Sequence, residues 1–300
     1  MNKIQFKGIF PALPTPFDSE ERLIAPTVKK LMDFQYAAGV NGFYVGGATG
    51  EGPLLPAKTR MALCETAVEA NEGRGKLILH VGGPNFSDVK ALIAHANTTS
   101  VDALSSMAPN AYFPHSDREL VDYYKRLASL TDKPILIYVT QLMLGSNLQA
   151  LFTDLMQVEN IIGLKFTLPN YYLLSLLKMV NGGNINVING PDEMLISGLA
   201  MGADGGIGTT YNIMPEKFVT LYRAFTNGEI EKARTIQYEI NRIVRVLLTA
   251  TDGAAALKNT KLALQMAGFD MGNCAFPSTH TAEQADQLRR DLHAAGWQMA

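Results

Sequence analysis

The chain alternates short, continuously apolar segments with longer segments of helical periodicity, and this alternation limits its fold more than any other feature. Each of eight apolar segments is followed by one whose apolar residues recur at helical spacing. Strands that are apolar on both faces are typical of a parallel sheet covered by helices. The predicted strands are 8–13, 42–46, 76–81, 103–107, 134–140, 161–167, 185–189 and 205–209. The predicted helices are 25–38, 57–70, 87–96, 117–130, 148–156, 171–180, 192–201 and 215–227.

Eight strand–helix units favour an α/β fold of the closed (β/α)8 TIM-barrel type, which typically has about 250 residues. A doubly wound open sheet is the structural alternative. We predict the barrel over residues 1–227. Residues 228–300 show helical spacing without a strand signal, at 229–249, 253–266 and 282–295. Because no Gly/Ser/Pro linker precedes them, we expect a C-terminal helical extension packed on the barrel, not an independent domain.

Charge and composition argue against several functional classes. The chain has 26 basic and 28 acidic residues, a net charge of -2 and no basic block, so neither nucleic acid nor an anionic membrane is an expected partner. No apolar run reaches the length of about 18 residues that a membrane span needs. The first residues lack the apolar core of a signal peptide, so a soluble cytoplasmic protein is expected. The two cysteines and five histidines show no metal-ligand spacing, so no metal site is expected.

A lysine lies in the sixth predicted strand, within GLKFT at 163–167. Because desolvation of a buried ammonium costs free energy, apolar surroundings favour the neutral amine of Lys165. A neutral amine can attack a carbonyl and form a Schiff base. Tyr138 lies near the end of the fifth strand, where its phenol can stand beside Lys165 and move a proton. Each residue also has a structural explanation: a lysine reaching a carboxylate or solvent, and a core tyrosine bonded to the backbone.

Polar and glycine-rich segments follow three other strands, where the active sites of TIM barrels gather. In the segment 46–51, successive N–H groups and the Thr49 hydroxyl can hold a carboxylate. Asp192 and Glu193 can accept hydrogen bonds from sugar hydroxyls or cap the following helix, and the sequence leaves both possibilities open. The segment 205–211 is glycine-rich but matches neither a Walker nor a dinucleotide pattern.

These motifs together resemble the N-acetylneuraminate lyase and dihydrodipicolinate synthase superfamily over nearly the whole barrel. They are PALPTPFD at 11–18, GGATGEG at 46–52, ILIYVT at 135–140, GLKFT at 163–167, NGPDE at 189–193 and SGLAMGADGGIGTTYNIM at 197–214. The resemblance implies a class I aldolase or relative with a (β/α)8 barrel, C-terminal helices and a homotetrameric assembly. It also implies a small 2-oxo acid as ligand and no cofactor, because the lysine itself supplies the electron sink.

The resemblance implies a role for each matching residue. Lys165 matches the Schiff-base lysine, and Tyr138 matches the proton-transferring tyrosine. Ala48 and Thr49 match the pair that binds the carboxylate of the 2-oxo acid. Tyr112 is similar to the aromatic residue that the family contributes toward a neighbouring subunit's site.

Of the two branches, the sequence is more similar to the N-acetylneuraminate lyases. The synthase branch has an arginine five residues after the tyrosine, where it binds a second carboxylate, and this chain has Met143 there. The lyase branch has Gly-x-Asp-Glu after the seventh strand and Gly-Ser/Thr after the eighth. In that branch the matching positions contact the polyhydroxylated sugar chain. They are Thr167, Gly190, Asp192, Glu193, Gly208 and Thr209.

Two departures from the family pattern bear on activity. Ala48 replaces a Ser or Thr whose hydroxyl usually partners the tyrosine, and Val-Thr-Gln at 139–141 replaces Asn-Ile/Val-Pro. The expected reaction is cleavage of a 2-oxo-3-deoxy sugar acid, N-acetylneuraminate in the first instance, to pyruvate and an aldehyde sugar (N-acetylmannosamine). The alternatives are a 2-keto-3-deoxy sugar acid aldolase of the same family and a low-turnover protein that binds pyruvate or a sugar acid.

Overall fold

The computed structural model describes residues 3, 5–20, 22–109, 113–250, 256–275 and 280–298. Within them, eight parallel strands form one sheet in the order β1-β8-β7-β6-β5-β4-β3-β2. The strands are β1 (Gly8–Pro11), β2 (Gly42–Val45), β3 (Lys76–His80), β4 (Ala103–Met107), β5 (Ile135–Val139), β6 (Ile161–Phe166), β7 (Asn186–Asn189) and β8 (Gly205–Gly208).

The two end strands of this order, β1 and β2, meet and close the barrel. Ala12 and Tyr44 form an isolated parallel bridge. The amide of Asn41 donates to the carbonyl of Ile9 at 2.8 Å, and the amide of Leu13 donates to the carbonyl of Tyr44 at 2.9 Å. The predicted TIM barrel is therefore confirmed, and the open doubly wound sheet is wrong.

Helices alternate with the strands and continue after the last one. Those that follow the eight strands are α1 (Ala25–Ala37), α2 (Ala57–Asn71), α3 (Phe86–Asn97), α4 (Asp117–Ala128), α5 (Leu148–Leu155), α6 (Tyr171–Met179), α7 (Leu195–Ala200) and α8 (Pro215–Thr226). The C-terminal helices are α9 (Ile230–Thr249), α10 (Ala256–Met266) and α11 (Ala282–Ala294). Residues 253–255 of the predicted helix 253–266 lie outside the described residues. None of the described helices is long and apolar enough to cross a membrane.

Among the predicted helices, 192–201 differs most from the helix that the structure shows. Its first residues form a separate 3₁₀ turn, Asp192–Met194, and the α-helix begins only at Leu195. The backbone of Met194, at φ -131° and ψ 24°, departs from helical geometry between the two. The turn points the Asp192 side chain toward the loop after β8, where it accepts hydrogen bonds from Thr210.

Every strand contributes at least one residue to the inside of the barrel, as expected of a packed TIM-barrel interior. This buried interior cluster is Phe6, Phe10, Ala12, Tyr44, Ile78, Ala103, Leu136, Tyr138, Ile162, Ile188 and Ile207. A second, larger buried cluster lies between the strands and the helices and includes Leu247 of α9 and Leu288 of α11. The indole Nε1 of Trp297, after α11, donates to the carbonyl of Ile213 at 2.9 Å. Side chains of the C-terminal helices thus belong to the same core as those of the barrel.

A buried ion pair joins α10 to the loop that follows β2. The ammonium of Lys261 lies 2.7 Å from a carboxylate oxygen of Glu51, and each side chain is 3% exposed. Lys261 also donates to the carbonyl of Asn273, and the other oxygen of Glu51 accepts from the amide of Ala275, each at 2.6 Å. Because these additional hydrogen bonds satisfy the remaining polar atoms, the pair can be held away from water.

We expect the K261M substitution to lower the free energy of unfolding by about 3–5 kcal/mol, because it leaves the Glu51 carboxylate buried without its counter-ion. The matched control is K217M, since the Lys217–Glu239 pair is 34% and 41% exposed and exposed pairs contribute about 0–1 kcal/mol. Urea unfolding of both variants checks the difference. Equal losses would contradict a special contribution from the buried pair.

Candidate active site

Lys165 lies inside the barrel near the carboxyl end of β6, beside Tyr138 of β5. The two residues are register partners on adjacent strands, so their side chains project to the same side of the sheet. The Nζ atom of Lys165 lies 4.2 Å from the centroid of the Tyr138 ring, and Lys165 is 5% exposed. The structure therefore brings together the amine and the phenol that the sequence places on neighbouring strand ends. Their chemical roles remain predictions.

Tyr44, at the end of β2, is a neighbour of the lysine that the sequence analysis missed. The Lys165 Nζ lies 4.5 Å from the centroid of its ring. The Tyr44 hydroxyl donates to Oγ of Ser105 at 2.9 Å. Burial, and next the neighbouring Tyr138, raise the pKa of Tyr44 well above its usual value, so this phenol stays neutral. The only sequence signal was an aromatic residue near the end of a short strand, directly before a glycine-rich loop.

The loop after β2 reaches across the barrel mouth to the loop after β8. The hydroxyl oxygens of Thr49 and Thr209 lie 2.7 Å apart, which joins two residues that are far apart in sequence. Ala48 is exposed, whereas Thr49 is buried. A Cβ atom on Gly47 would lie 2.3 Å from Cε1 of Tyr44, so only glycine fits between this loop and the tyrosine ring.

Thr167 and Gly190 lie together at the ends of β6 and β7. The amide of Gly190 donates to the carbonyl of Phe166 at 2.7 Å. A Cβ atom on Gly190 would lie only 2.1 Å from the Thr167 hydroxyl oxygen. That oxygen is buried and has no hydrogen-bond partner among the described residues. Because buried polar atoms are normally paired, the Thr167 hydroxyl is available to a ligand.

Asp192 packs against the backbone of Gly208 at the ends of β7 and β8. One carboxylate oxygen accepts from the amide and the hydroxyl of Thr210, both at 2.7 Å. A Cβ atom on Gly208 would lie 2.0 Å from the other oxygen. Burial raises the pKa of Asp192 to about 7, while the Thr210 hydrogen bonds act in the opposite direction. Asp192 and Glu193 both lie in the first turn of the 3₁₀ helix, and no side chain caps this helix. The Asp192 carboxylate bonds instead to the loop after β8, and Glu193 is exposed.

Two further positions complete the set of predicted residues. Met143, at the position of the synthase arginine, is 1% exposed and belongs to the cluster between strands and helices. Its thioether therefore packs in the core and brings no charge to a substrate carboxylate. Tyr112 lies outside the described residues.

Known proteins are similar to this chain over most of its length. The profile described as the "Dihydrodipicolinate synthetase family" matches residues 5–295. The chain belongs to this family. It is 35% identical over 245 residues to the N-acetylneuraminate lyase of Rhizobium meliloti (strain 1021), covering 82% of this chain and 81% of the relative. It is 32% identical over 244 residues to the N-acetylneuraminate lyase of Citrobacter koseri, covering 81% and 82%.

Solved structures with the same architecture include an N-acetylneuraminate lyase and a protein of the dihydrodipicolinic acid synthase family. The Proteus mirabilis N-acetylneuraminate lyase superimposes with a TM-score of 0.90 at 28% identity, over 98% of this chain and 100% of the other. An Escherichia coli K12 prophage protein of the dihydrodipicolinic acid synthase family, solved in complex with pyruvate, also has a TM-score of 0.90, at 26% identity over 98% and 99%. The family and these relatives show that the chain is an enzyme of the carbon–carbon lyase class, with a function like that of the sialic acid aldolases.

We expect the D192N substitution to remove from the free energy of unfolding a contribution that falls as the pH rises between about 4 and 7. The pKa of Asp192 rises from 3.8 to about 7 on folding, so the folded state binds this proton more tightly. The resulting stabilisation is complete below the unfolded pKa and is lost as the pH rises through 7. Because asparagine does not titrate, the two slopes should differ by at most about 1.4 kcal/mol per pH unit. Urea unfolding at several pH values measures both slopes; identical slopes would contradict the raised pKa.

Proposed function

We propose that the protein is a Schiff-base aldolase that cleaves N-acetylneuraminate to pyruvate and N-acetylmannosamine. The observation that carries the proposal is the buried Lys165 amine at the end of β6, 4.2 Å from the Tyr138 ring. A nucleophile and a proton carrier must be within reach of one substrate for this chemistry. The family membership and the lyase relatives support the same reaction class.

The proposed reaction begins when the Lys165 amine attacks the C2 ketone of the substrate. The C–N bond forms, Tyr138 gives its phenolic proton to the C2 oxygen, which leaves as water, and a protonated imine remains. The Tyr138 phenolate then accepts the proton of the C4 hydroxyl as the C3–C4 bond breaks, and the bonding electrons move into the imine to give a neutral enamine. The aldehyde sugar departs. Protonation of the enamine carbon and hydrolysis then release pyruvate and restore the amine.

The loop after β2 is the proposed site for the substrate carboxylate. The backbone N–H groups of Ala48 and Thr49, with the Thr49 hydroxyl, supply donors of the kind that hold anions. Ala48 contributes no side-chain hydroxyl, so the phenol of Tyr138 lacks the partner that the family usually provides. The Thr49–Thr209 contact supports a loop that is already ordered for binding.

The ends of β6, β7 and β8 form the proposed site for the hydroxylated chain of the sugar. Thr167 offers a buried hydroxyl that has no partner among the described residues, and the absence of a side chain at Gly190 leaves that hydroxyl uncovered. Asp192, with its pKa raised to about 7 by burial, can accept or donate a hydrogen bond near neutral pH. The other residues proposed for this subsite are Glu193, Gly208 and Thr209.

Two other functions use the same residues. A shorter 2-keto-3-deoxy sugar acid would place the same C2 ketone before Lys165. A binding protein with little turnover is favoured by one observation, the missing hydroxyl at Ala48.

The homotetramer, the contribution of Tyr112 to a neighbouring subunit's site and the cytoplasmic location remain predictions from the resemblance and the sequence.

Borohydride reduction in the presence of pyruvate, followed by peptide mass spectrometry, tests the covalent step. We expect the reduced pyruvate adduct on the peptide that contains Lys165, because borohydride converts the imine to a stable secondary amine. The K165R variant is the control, since it keeps a cation but removes the nucleophile. A normal rate of sugar acid cleavage in K165R, or an adduct on another lysine, would overturn the mechanism. Pyruvate release from N-acetylneuraminate and from shorter 2-keto-3-deoxy sugar acids separates the aldolase alternatives.

The A48S substitution should raise the lyase rate by roughly 5-fold, because one hydrogen bond of this kind contributes about 1 kcal/mol. The restored hydroxyl would orient the Tyr138 phenol for proton transfer. A48G is the matched control, because it changes the size of the residue without adding a hydroxyl. Tight ligand binding without turnover in both the unchanged protein and A48S would favour the binding function.

A further inference from the structure

We propose that the ring face of Tyr44 stabilises the positive charge of the protonated imine on Lys165 by a cation–π interaction, which makes Tyr44 a further catalytic residue. This inference rests on the proposed function, because it concerns the intermediate formed at the same nitrogen. It assigns to Tyr44 a contribution from the ring and none from the hydroxyl.

The geometry places the nitrogen over two aromatic rings at once. The Lys165 Nζ lies 4.5 Å from the Tyr44 centroid and 4.2 Å from the Tyr138 centroid. Both distances are within the range of about 6 Å over which a ring face attracts a cation. The two rings stand nearly perpendicular to each other, at 79° with centroids 6.0 Å apart.

The Tyr44 ring is held in place from several directions. Tyr44 is 0% exposed, and its hydroxyl is bonded to Ser105 of β4. The His80 ring lies 6.2 Å from it, centroid to centroid, and the Gly47 backbone leaves no room for a Cβ atom beside it. A preorganised group stabilises a developing charge without the cost of reorganising first.

Few other groups balance a charge on this nitrogen. Among the described residues, no carboxylate oxygen lies within 4.0 Å of the Lys165 Nζ. The charge of Lys165 lowers the pKa of the buried Asp192 carboxyl, but burial is the larger effect and raises that pKa to about 7. Asp192 is therefore only partly ionised near neutral pH. Burial also lowers the pKa of His80 well below its usual value, so His80 is neutral. Tyr138 and the neutral Tyr44 remain, and both present ring faces.

The two tyrosines therefore have different tasks. Imine formation joins the nitrogen to C2, releases one water with the uptake of one proton from Tyr138, and leaves a positive charge on a nitrogen shielded from water. Tyr138 is needed as a proton carrier for the C4 hydroxyl. The Tyr44 hydroxyl already donates to Ser105, so the part of Tyr44 that acts on the nitrogen is its ring.

Phenylalanine and its fluorinated forms at position 44 test this assignment with little change in shape. Each added fluorine weakens the negative face of the ring, so 4-fluoro-, difluoro- and trifluorophenylalanine form a graded series referenced to Y44F. The measured quantity is the fraction of Lys165 that carries the reduced pyruvate adduct after treatment with cyanoborohydride, at saturating pyruvate and at several pH values. Cyanoborohydride reduces protonated imines preferentially. We expect the fraction to fall with each fluorine, by about 10-fold over the series, and the pH at which it is half-maximal to move lower. A flat series would overturn the proposal.

Y44L and F10L separate the ring effect from loss of core packing. Phe10 belongs to the same interior cluster, but its ring packs edge-on against Phe6. We expect Y44L to lose imine trapping to the same extent as the trifluorinated variant, and F10L to lose stability while keeping the pH profile of trapping. Equal trapping in folded Y44L and F10L would overturn the proposal; if Y44L does not fold, the fluorinated series decides. Absence of any Lys165 adduct in the unchanged protein would instead overturn the proposed function.

Discussion

Closure of the sheet between β1 and β2 is the constraint on which the site depends. In the strand order, β2 stands at one end and β8 lies next to the other end. In an open sheet of that order, the loops after β2 and β8 would be separated by the width of the sheet. The bridge between Ala12 and Tyr44 closes the barrel and allows the Thr49 and Thr209 hydroxyls to approach to 2.7 Å. The same strand β2 brings the Tyr44 ring to the amine of β6.

The protein contains two buried lysines, Lys261 and Lys165, whose ammonium groups have different surroundings. Lys261 is paired with Glu51, and the surrounding backbone satisfies both groups. Lys165, in contrast, has aromatic ring faces around its nitrogen and no carboxylate within 4.0 Å among the described residues. The first arrangement fastens the loop after β2 to the C-terminal helices. The second leaves the nitrogen free to react, which is consistent with its proposed use as a nucleophile.

The differences from the family pattern are local and leave the scaffold unchanged. Met143 packs in the core, where the synthase arginine would bring a charge. Ala48 is exposed at the mouth and lacks only a side-chain hydroxyl. In the proposed function both changes concern binding and proton transfer, whereas Lys165 and Tyr138 are register partners across β5 and β6. The proposed function therefore depends on whether the phenol of Tyr138 can work without its usual partner.

The amino-acid sequence by itself determined the eight strand–helix units and the strand ends that carry Lys165, Tyr138, Thr49 and Asp192. It could do so because periodicity and glycine-rich turns are local properties of the chain. Only the tertiary structure decided that Tyr44 lies against the amine, that Asp192 bonds to Thr210, and that Glu51 is paired with Lys261. These contacts join residues from 18 to 210 positions apart in the sequence. Which distant groups meet depends on barrel closure and the packing of the C-terminal helices. No local pattern contains that information.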